Sequence, residues 1–387
     1  MNNLDFFNNT TDIFSTFTVL VLGGCLINIL ANNFKATKTR ALGLYVWHSI
    51  FCVIYAIISL RQPADSTAYY ISSKGSFDFE LGTYAVVYFI GFFSDTLSYL
   101  GVFMIFNIFG SIGLIAVDAS LRHVTENKSS FVKFMVLIVA LLPSMNFWTG
   151  GIGKDSIAFM STGLLLWASI NFKQNYILLF IAFVCMFLVR PHIGAIMVFT
   201  FALSLLLTKI SPLKRIFFII ISIIGMIKTA PIVFKYLKLD QASSLQNYID
   251  VRQGYNMDGG GSLDISSLSI FNKIFTHSFR PLPYEAHNFL SFMSSIDNML
   301  LLIVFSLSLF SVLFLKGKKF SLNLSHPKEN RWFLLIFSLS VMIASSMITS
   351  NLGISARQKW MFLPILLYFS FLFMGIRQLN HTNVTKV

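Results

Sequence analysis

Arg190-Pro191-His192 stands between two apolar runs with almost no loop to separate them. If those runs are helices in a membrane, the Arg190 guanidinium is held at the boundary, where a charge needs a partner. A planar guanidinium grips phosphate oxygens through two parallel hydrogen bonds, so one reading is an anion clamp. The other is a side chain that snorkels to lipid headgroups. Arg280 and Arg357 also border apolar runs, and three such arginines together fit a phosphate-bearing lipid head better than any one alone. Carboxylates and a histidine accompany them. Asp65 opens Asp65-Ser66-Thr67-Ala68-Tyr69-Tyr70 just beyond an apolar run, where it can orient or deprotonate a substrate hydroxyl, or serve as a solvated loop acid or helix cap. Glu285 ends Arg280-Pro281-Leu282-Pro283-Tyr284-Glu285, whose prolines stiffen the chain around it, and His192 is a third candidate proton acceptor. Lys154 and Asp155 follow the glycine-rich stretch from Pro143 to Gly153 and can either pair in the first turn of a helix or face a substrate. That stretch has the wrong spacing for a phosphate loop and no preceding strand, which argues against nucleotide binding.

The elements that must position these residues are apolar throughout. Of 387 residues, 55% are hydrophobic and 12% charged, too little polarity to cover a soluble globule of this size. The net charge is +13, but the basic residues sit in short clusters between apolar runs, a pattern that reports orientation in a bilayer and excludes a nucleic-acid face. Spanning runs are expected near residues 13–31, 41–60, 96–117, 131–143, 154–171, 176–189, 192–208, 214–233, 289–315, 331–349 and 359–376. This predicts a single all-α polytopic transmembrane domain over 1–387, with about eleven transmembrane helices. The shortest runs predict bent elements around Leu141 to Asp155 and Val189 to Gly194, and Leu81 to Phe93 reads as an amphipathic or re-entrant piece. Met1 to Asp12 carries no Lys or Arg, so the first run is expected to remain in the mature chain. Cys25, Cys52 and Cys185 lie in apolar runs without paired spacing, and His48, inside the second run, reads as a hydrogen-bonded packing residue. No metal or cofactor is expected.

Seventeen of the 29 basic residues fall on one side of this alternation, including Lys35, Lys38, Arg40, Arg122, Lys128, Lys133, Lys173, Lys209, Lys214, Arg215, Lys316, Lys318, Lys319, Lys328, Arg331, Arg377 and Lys386. Retention of short basic loops in the cytosol then puts the amino terminus outside and the carboxyl terminus inside. One long hydrophilic loop, 234–288, lies outside, with Arg252 and the flexible turn Gly259-Gly260-Gly261-Ser262. The polar residues that loop position leaves unexplained gather on that same outer face: Arg61, Asp65, Lys154, Asp155, Arg190, His192, Arg252, Arg280, Glu285, His287, Arg357 and Lys359. Trp148 fits the aromatic belt of a membrane interface.

Phe147-Trp148-Thr149-Gly150-Gly151-Ile152-Gly153-Lys154-Asp155, Arg190-Pro191-His192, Phe279 to Glu285 and Asn351 to Lys359 together resemble multispanning proteins of bacterial surface-polysaccharide clusters. The resemblance is to Wzy-like or EpsG-like O-antigen and exopolysaccharide polymerases and runs from about Asp65 to Leu366. It implies a GT-C-like membrane glycosyltransferase that polymerises undecaprenyl diphosphate-linked oligosaccharide units at the outer face of the cytoplasmic (inner) membrane. By the same resemblance Arg190, Arg280 and Arg357 hold lipid diphosphate, with Arg252 and Lys154 as further diphosphate ligands, and Asp65 corresponds to the first-loop acid of the GT-C group. Its partners would be the lipid-linked oligosaccharide, membrane lipids, a flippase and a chain-length regulator. Arg252 and the glycines after it do not match the spaced-arginine loop of the best-known Wzy proteins, which leaves Asp65, His192 and Glu285 all open as the base.

Two other functions fit the same residues. One is a single-sugar GT-C transferase with a polyprenyl-phosphate donor, Asp65 as catalyst and a divalent cation. Asp65, Asp78, Glu80 and Asp155 show no close pair in sequence of the kind a metal site uses. The other is a flippase for lipid-linked oligosaccharides or another transporter, for which charges near mid-bilayer and internal repeats are expected. Here the charges read as clustered at one boundary, and the two halves differ.

Overall fold

A computed structural model describes residues 5–7, 9–75, 78–172, 174–208, 211–238, 245–255, 257, 261–314, 324 and 329–374. Gly259, Gly260, Lys173, Lys209, Lys316, Lys318, Lys319, Lys328, Arg377 and Lys386 lie outside the described residues, as does the side chain of Lys214. Regular structure among the described residues is helical, and Ser262 and Asn351 form an isolated antiparallel bridge.

The chain begins with α1 (Thr10–Leu30), α2 (Lys38–Arg61), the short α3 (Asp65–Ser72) and α4 (Thr83–Gly91), and the long α5 (Tyr99–Thr125). Next come α6 (Ser130–Ala140), α7 (Pro143–Thr149), α8 (Lys154–Ile170), α9 (Tyr176–Val189), α10 (Pro191–Leu207) and α11 (Pro212–Leu237). After α12 (Leu245–Tyr255) and α13 (Ile270–Phe279) follow α14 (Phe289–Phe314), α15 (Arg331–Ile348), the seven-residue α16 (Leu352–Gln358) and α17 (Leu363–Phe373). Local chemistry sets several of these limits. Asn9 caps α1 by accepting the Asp12 N–H, and Ser98 caps α5 by accepting that of Gly101. Pro191 has no N–H and disfavours helical geometry before it, so Arg190 breaks the chain between α9 and α10 at φ −141°, ψ 74°. Pro143 does the same between α6 and α7, which bend by 40°.

Six helices, α1, α2, α5, α11 (from Arg215), α14 and α15, are each long and apolar enough to cross a membrane, and the bent pair α6–α7 makes a seventh candidate. This is an architecture consistent with a polytopic membrane protein, with fewer self-sufficient spans than the sequence pattern predicts, because α9, α10 and α17 are apolar but only 10–17 residues long. Of the two stretches expected to bend, Leu141 to Asp155 holds the 40° bend between α6 and α7, and Val189 to Gly194 holds the break at Arg190 between α9 and α10. The Leu81 to Phe93 stretch forms only the nine residues of α4. At 1.5 Å per residue that is about 14 Å, well short of a bilayer core of ~30 Å.

The core forms around α5, most of whose residues are buried. Its closest neighbour is α8, where a Cβ on Gly163 would come within 2.5 Å of the Gly113 carbonyl oxygen; the end of α7 also approaches it, and a Cβ on Gly110 would come within 2.1 Å of the Thr149 carbonyl oxygen. Small residues at crossings let backbones approach, which is how helices associate where no hydrophobic driving force separates them from lipid. His48 is the packing residue its sequence context suggests. It is fully buried, 2.6 Å from Asn107 Oδ1 through Nδ1 and 3.1 Å from Thr149 Oγ1 through Nε2, and so ties α2, α5 and α7 together. On the outside, α11 leaves Ile216, Phe217, Ile220, Ile224 and Ile227 exposed, a surface suited to hydrocarbon rather than water.

Candidate functional site

Five helices from three separate stretches of the sequence meet at one end of the bundle. Tyr55 comes from the last turns of α2, Asp65 from the first turn of α3, Phe147 and Trp148 from α7, Lys154 and Asp155 from the first turn of α8, and Arg357 from the last turn of α16. Arg190 joins them from the break before Pro191. Gly151 makes the convergence possible: a Cβ there would lie 2.2 Å from the Tyr55 ring.

The charges are paired in an alternating set. Arg357 Nη1 donates to Asp65 Oδ2 at 2.9 Å, and Arg190 Nη2 to Asp155 Oδ1 at 2.5 Å. Lys154 Nζ donates to Thr83 Oγ1 at 3.1 Å. Of the two roles the sequence leaves open for Lys154 and Asp155, the pair with each other is not formed, since adjacent residues on a helix point about 100° apart and do not face each other. Arg190 is likewise engaged by a protein carboxylate rather than left to headgroups. The Arg357 guanidinium lies over the Trp148 ring, 5.2 Å from its centre, and Tyr55 stacks on Phe147 at 4.6 Å. Burial works against the Arg357 charge, but the Asp155 and Asp65 carboxylates outweigh it and hold its pKa above the ordinary arginine value.

Two adjoining cavities share Tyr55, Asp65 and Arg357. The larger, about 380 Å³, is walled by Phe147, Trp148, Gln62 and Leu290, and the smaller, about 120 Å³, by Lys154, Asp155, Arg190 and Tyr69. An aromatic-walled recess thus opens beside one lined by three cations and two carboxylates. Trp148, expected in an interfacial belt, is a wall of this recess, and its indole Nε1 is buried without a hydrogen-bond partner. Among the described residues, no three His, Cys, Asp or Glu side chains are grouped to hold a metal ion.

The other candidate residues lie apart from these two cavities. Glu285 accepts from Arg280 Nε at 2.8 Å and from the Leu282 N–H at 2.7 Å, and Arg280 Nη2 adds a further bond. Burial opposes its charge, but these donors prevail and hold the Glu285 carboxyl below its ordinary value. That suits a carboxylate fixed as the partner of Arg280 better than one free to take a proton. Pro281 and His287 line a third cavity of about 210 Å³, which meets the larger one at Trp148 and Leu290. His192 stacks on Tyr236 at 5.8 Å instead of lining either of the first two cavities. Arg252 donates to the Leu237 carbonyl at 3.1 Å and lies over Tyr248, in a separate cavity between α11 and α12. The described part of the long loop is bonded to the turn that carries α16: the Leu352 N–H donates to the Gly261 carbonyl at 2.8 Å, and the Leu263 N–H to that of Ser350 at 2.8 Å.

Sequence reasoning missed one group. Lys359, read as an outer-face charge, is fully buried and donates to Asn298 Oδ1, while the neighbouring Asp297 accepts the Met145 N–H at 3.0 Å. Asn298 Nδ2 in turn donates to the Pro281 carbonyl at 2.9 Å. The signal available was Asp297 itself, a charge inside an apolar run of spanning length.

No protein-family model matches this chain, and comparison with curated proteins and with solved structures gives no match either.

Proposed function

We propose that the chain is a membrane glycosyltransferase, a polymerase that joins undecaprenyl diphosphate-linked oligosaccharide units at the outer face of a bacterial cytoplasmic membrane. One observation carries the reading: Arg357 and Asp65 lie side by side on the wall common to an aromatic-lined cavity and a cationic one that also holds Arg190 and Lys154. A diphosphate suits the cationic recess and sugars suit the aromatic one. The resemblance to Wzy-like and EpsG-like polymerases, with a GT-C-like arrangement, supports it further. In this reading the helices make eleven crossings, counting α6–α7 as one and 359–373 as the last. The end with Lys35, Arg40 and Arg122 then faces the cytosol and the recess faces outward.

The acceptor hydroxyl attacks the anomeric carbon, the bond from that carbon to the diphosphate oxygen breaks, and the electron pair leaves with the diphosphate. Asp65, bonded to Arg357 through Oδ2 alone and more exposed than Glu285, whose two oxygens both accept hydrogen bonds, takes the hydroxyl proton, and a single displacement inverts the anomeric centre. Arg357, Arg190 and Lys154 stabilise the charge that grows on the leaving group. Arg280 is tied to Glu285 and stands further from this chemistry. In cells dependent on this chain, Arg357→Ala gives single-repeat glycan in place of a ladder on a surface-polysaccharide gel, Arg357→Lys restores it partly, and Arg280→Ala has the milder effect. A full ladder from Arg357→Ala at normal protein level would refute the assignment.

A transporter of the same lipid-linked units is the second reading. Its support is the bent α6–α7 pair, whose second half presents the Met145 N–H to the buried Asp297, with Lys359 close by. Broken helices beside buried charges are typical of transporters. Lipid-linked units that accumulate on the inner leaflet of a deletion strain favour it, and units that accumulate on the outer leaflet favour the polymerase.

A further inference from the structure

The largest recess of those described here lies at the opposite end of the bundle from Asp65 and Arg357. It has a volume of about 440 Å³ and is walled by Lys35, Arg40, Arg122, Lys133, Glu126 and Trp167. Water takes roughly 30 Å³ per molecule in the liquid, so there is room for a phosphate group, its substituent and residual solvent.

Its cationic wall is built from within. Asp118 is buried to 1% exposure on α5 and holds two guanidiniums at once: Arg40 through Nε at 3.0 Å and Nη2 at 2.6 Å, and Arg122 through Nε at 2.8 Å. One carboxylate cannot neutralise two guanidiniums, and each has five N–H donors, so both keep charge and donors for something else. Arg122 also donates to the Lys35 carbonyl at 2.9 Å and the Phe34 carbonyl at 3.3 Å. These bonds pin a turn in which Lys35 has φ 48°, a left-handed backbone that is disfavoured for any residue with a Cβ. A strained residue held by its neighbours is a recurrent mark of a functional site. Here the strained residue adds a third cation to the wall, and Lys133 from α6 adds a fourth. Against these four cations stand buried Asp118 and Glu126, the one acid among the lining residues. His123 is turned toward Glu329, 3.8 Å away.

We propose that this recess binds a phosphate-bearing anion, the group carried both by acidic phospholipid heads and by soluble phosphate esters. Guanidiniums oriented by a buried carboxylate present paired donors to phosphate oxygens. Basic pockets between transmembrane helices are suited to lipid headgroups.

The test uses the full-length protein in phosphatidylcholine nanodiscs with an increasing fraction of phosphatidylglycerol, and lipid retention is read by native mass spectrometry. Phosphatidylglycerol is retained in preference to phosphatidylcholine. Lys133→Gln and Lys35→Gly each weaken that retention about fivefold, the effect of one basic residue near an anionic headgroup. Lys35→Gly also relieves the left-handed turn, so its unfolding temperature stays level or rises, which separates lost binding from lost fold. Glycerol 3-phosphate and inorganic phosphate form the other arm. If either is bound and displaces the lipid, the site takes a soluble phosphate; if the lipid is retained against both, the site takes a headgroup. Equal retention of neutral and acidic lipid with no binding of soluble phosphate overturns the proposal. Variants that bind as the unaltered protein does overturn it too.

Discussion

A guanidinium that is to grip a phosphate has to be aimed before the ligand arrives, and a carboxylate can hold it there. Asp65 does this for Arg357, Asp155 for Arg190 and Glu285 for Arg280. The residue types were legible in the sequence, and so was the outlying position of the arginines. The pairings were not, because Asp65 and Arg357 are 292 positions apart and only the packed bundle makes them neighbours. Glu285 shows how pairing decides a role. Its pKa is depressed in the folded protein, so the stability it contributes is complete above the ordinary glutamate value of 4.5 and is lost as pH falls through the lower, folded value. Thermal unfolding of the detergent-solubilised protein followed from pH 7 to 3 should therefore show a drop in midpoint at the acid end. Glu285→Gln should remove that part of the drop while lowering the midpoint at neutral pH. A profile identical in the variant would mean that the Arg280 pair contributes nothing to the fold.

At the scale of elements, the bend between α6 and α7 is what lets Phe147 and Trp148 wall the recess, and it is held by charge inside the bundle. Asp297 of α14 accepts the N–H of Met145 at the start of α7, Asn298 reaches the Pro281 carbonyl, and Lys359 bonds Asn298 from the turn between α16 and α17. The sequence revealed the bends, since proline and short apolar runs announce them. It did not reveal what holds them, because Lys359 sits two residues from the outward-reading Arg357 and nothing local says that it turns inward. A buried charge that loses its partner costs on the order of 3–5 kcal/mol, whereas replacing both partners with apolar or neutral groups is close to neutral. Lys359→Met is accordingly expected to lower the unfolding midpoint sharply, and Lys359→Met with Asp297→Asn to recover most of the loss. If the second change added to the first instead, Asp297 and Lys359 would be acting separately, and the bent pair would be held by packing alone.

Over the whole molecule, two polar recesses sit at opposite ends of an apolar bundle, and the reading of both depends on which end meets the cytosol. The clustering of basic residues predicts that side, and the bonds among helix ends agree in grouping them: Arg122 meets the carbonyls of Phe34 and Lys35, and the Asn330 N–H meets that of Ser169, while Arg190 and Arg357 meet acids at the other end. Crossing count was the least legible feature, because α9, α10 and α17 are shorter than a bilayer core and only their neighbours can tell a thin crossing from a buried helix. Cysteine labelling resolves orientation and crossing parity together. In a background with Cys25, Cys52 and Cys185 replaced, Gln62→Cys lies on the wall of the larger cavity and Glu126→Cys on the basic recess. A membrane-impermeant maleimide added to intact spheroplasts should label the first and spare the second until the membrane is opened. The converse pattern would put Arg357 in the cytosol, away from any outward-facing lipid-linked sugar. The polymerase reading would then fall, while the fold and the ion pairs that shape it would stand.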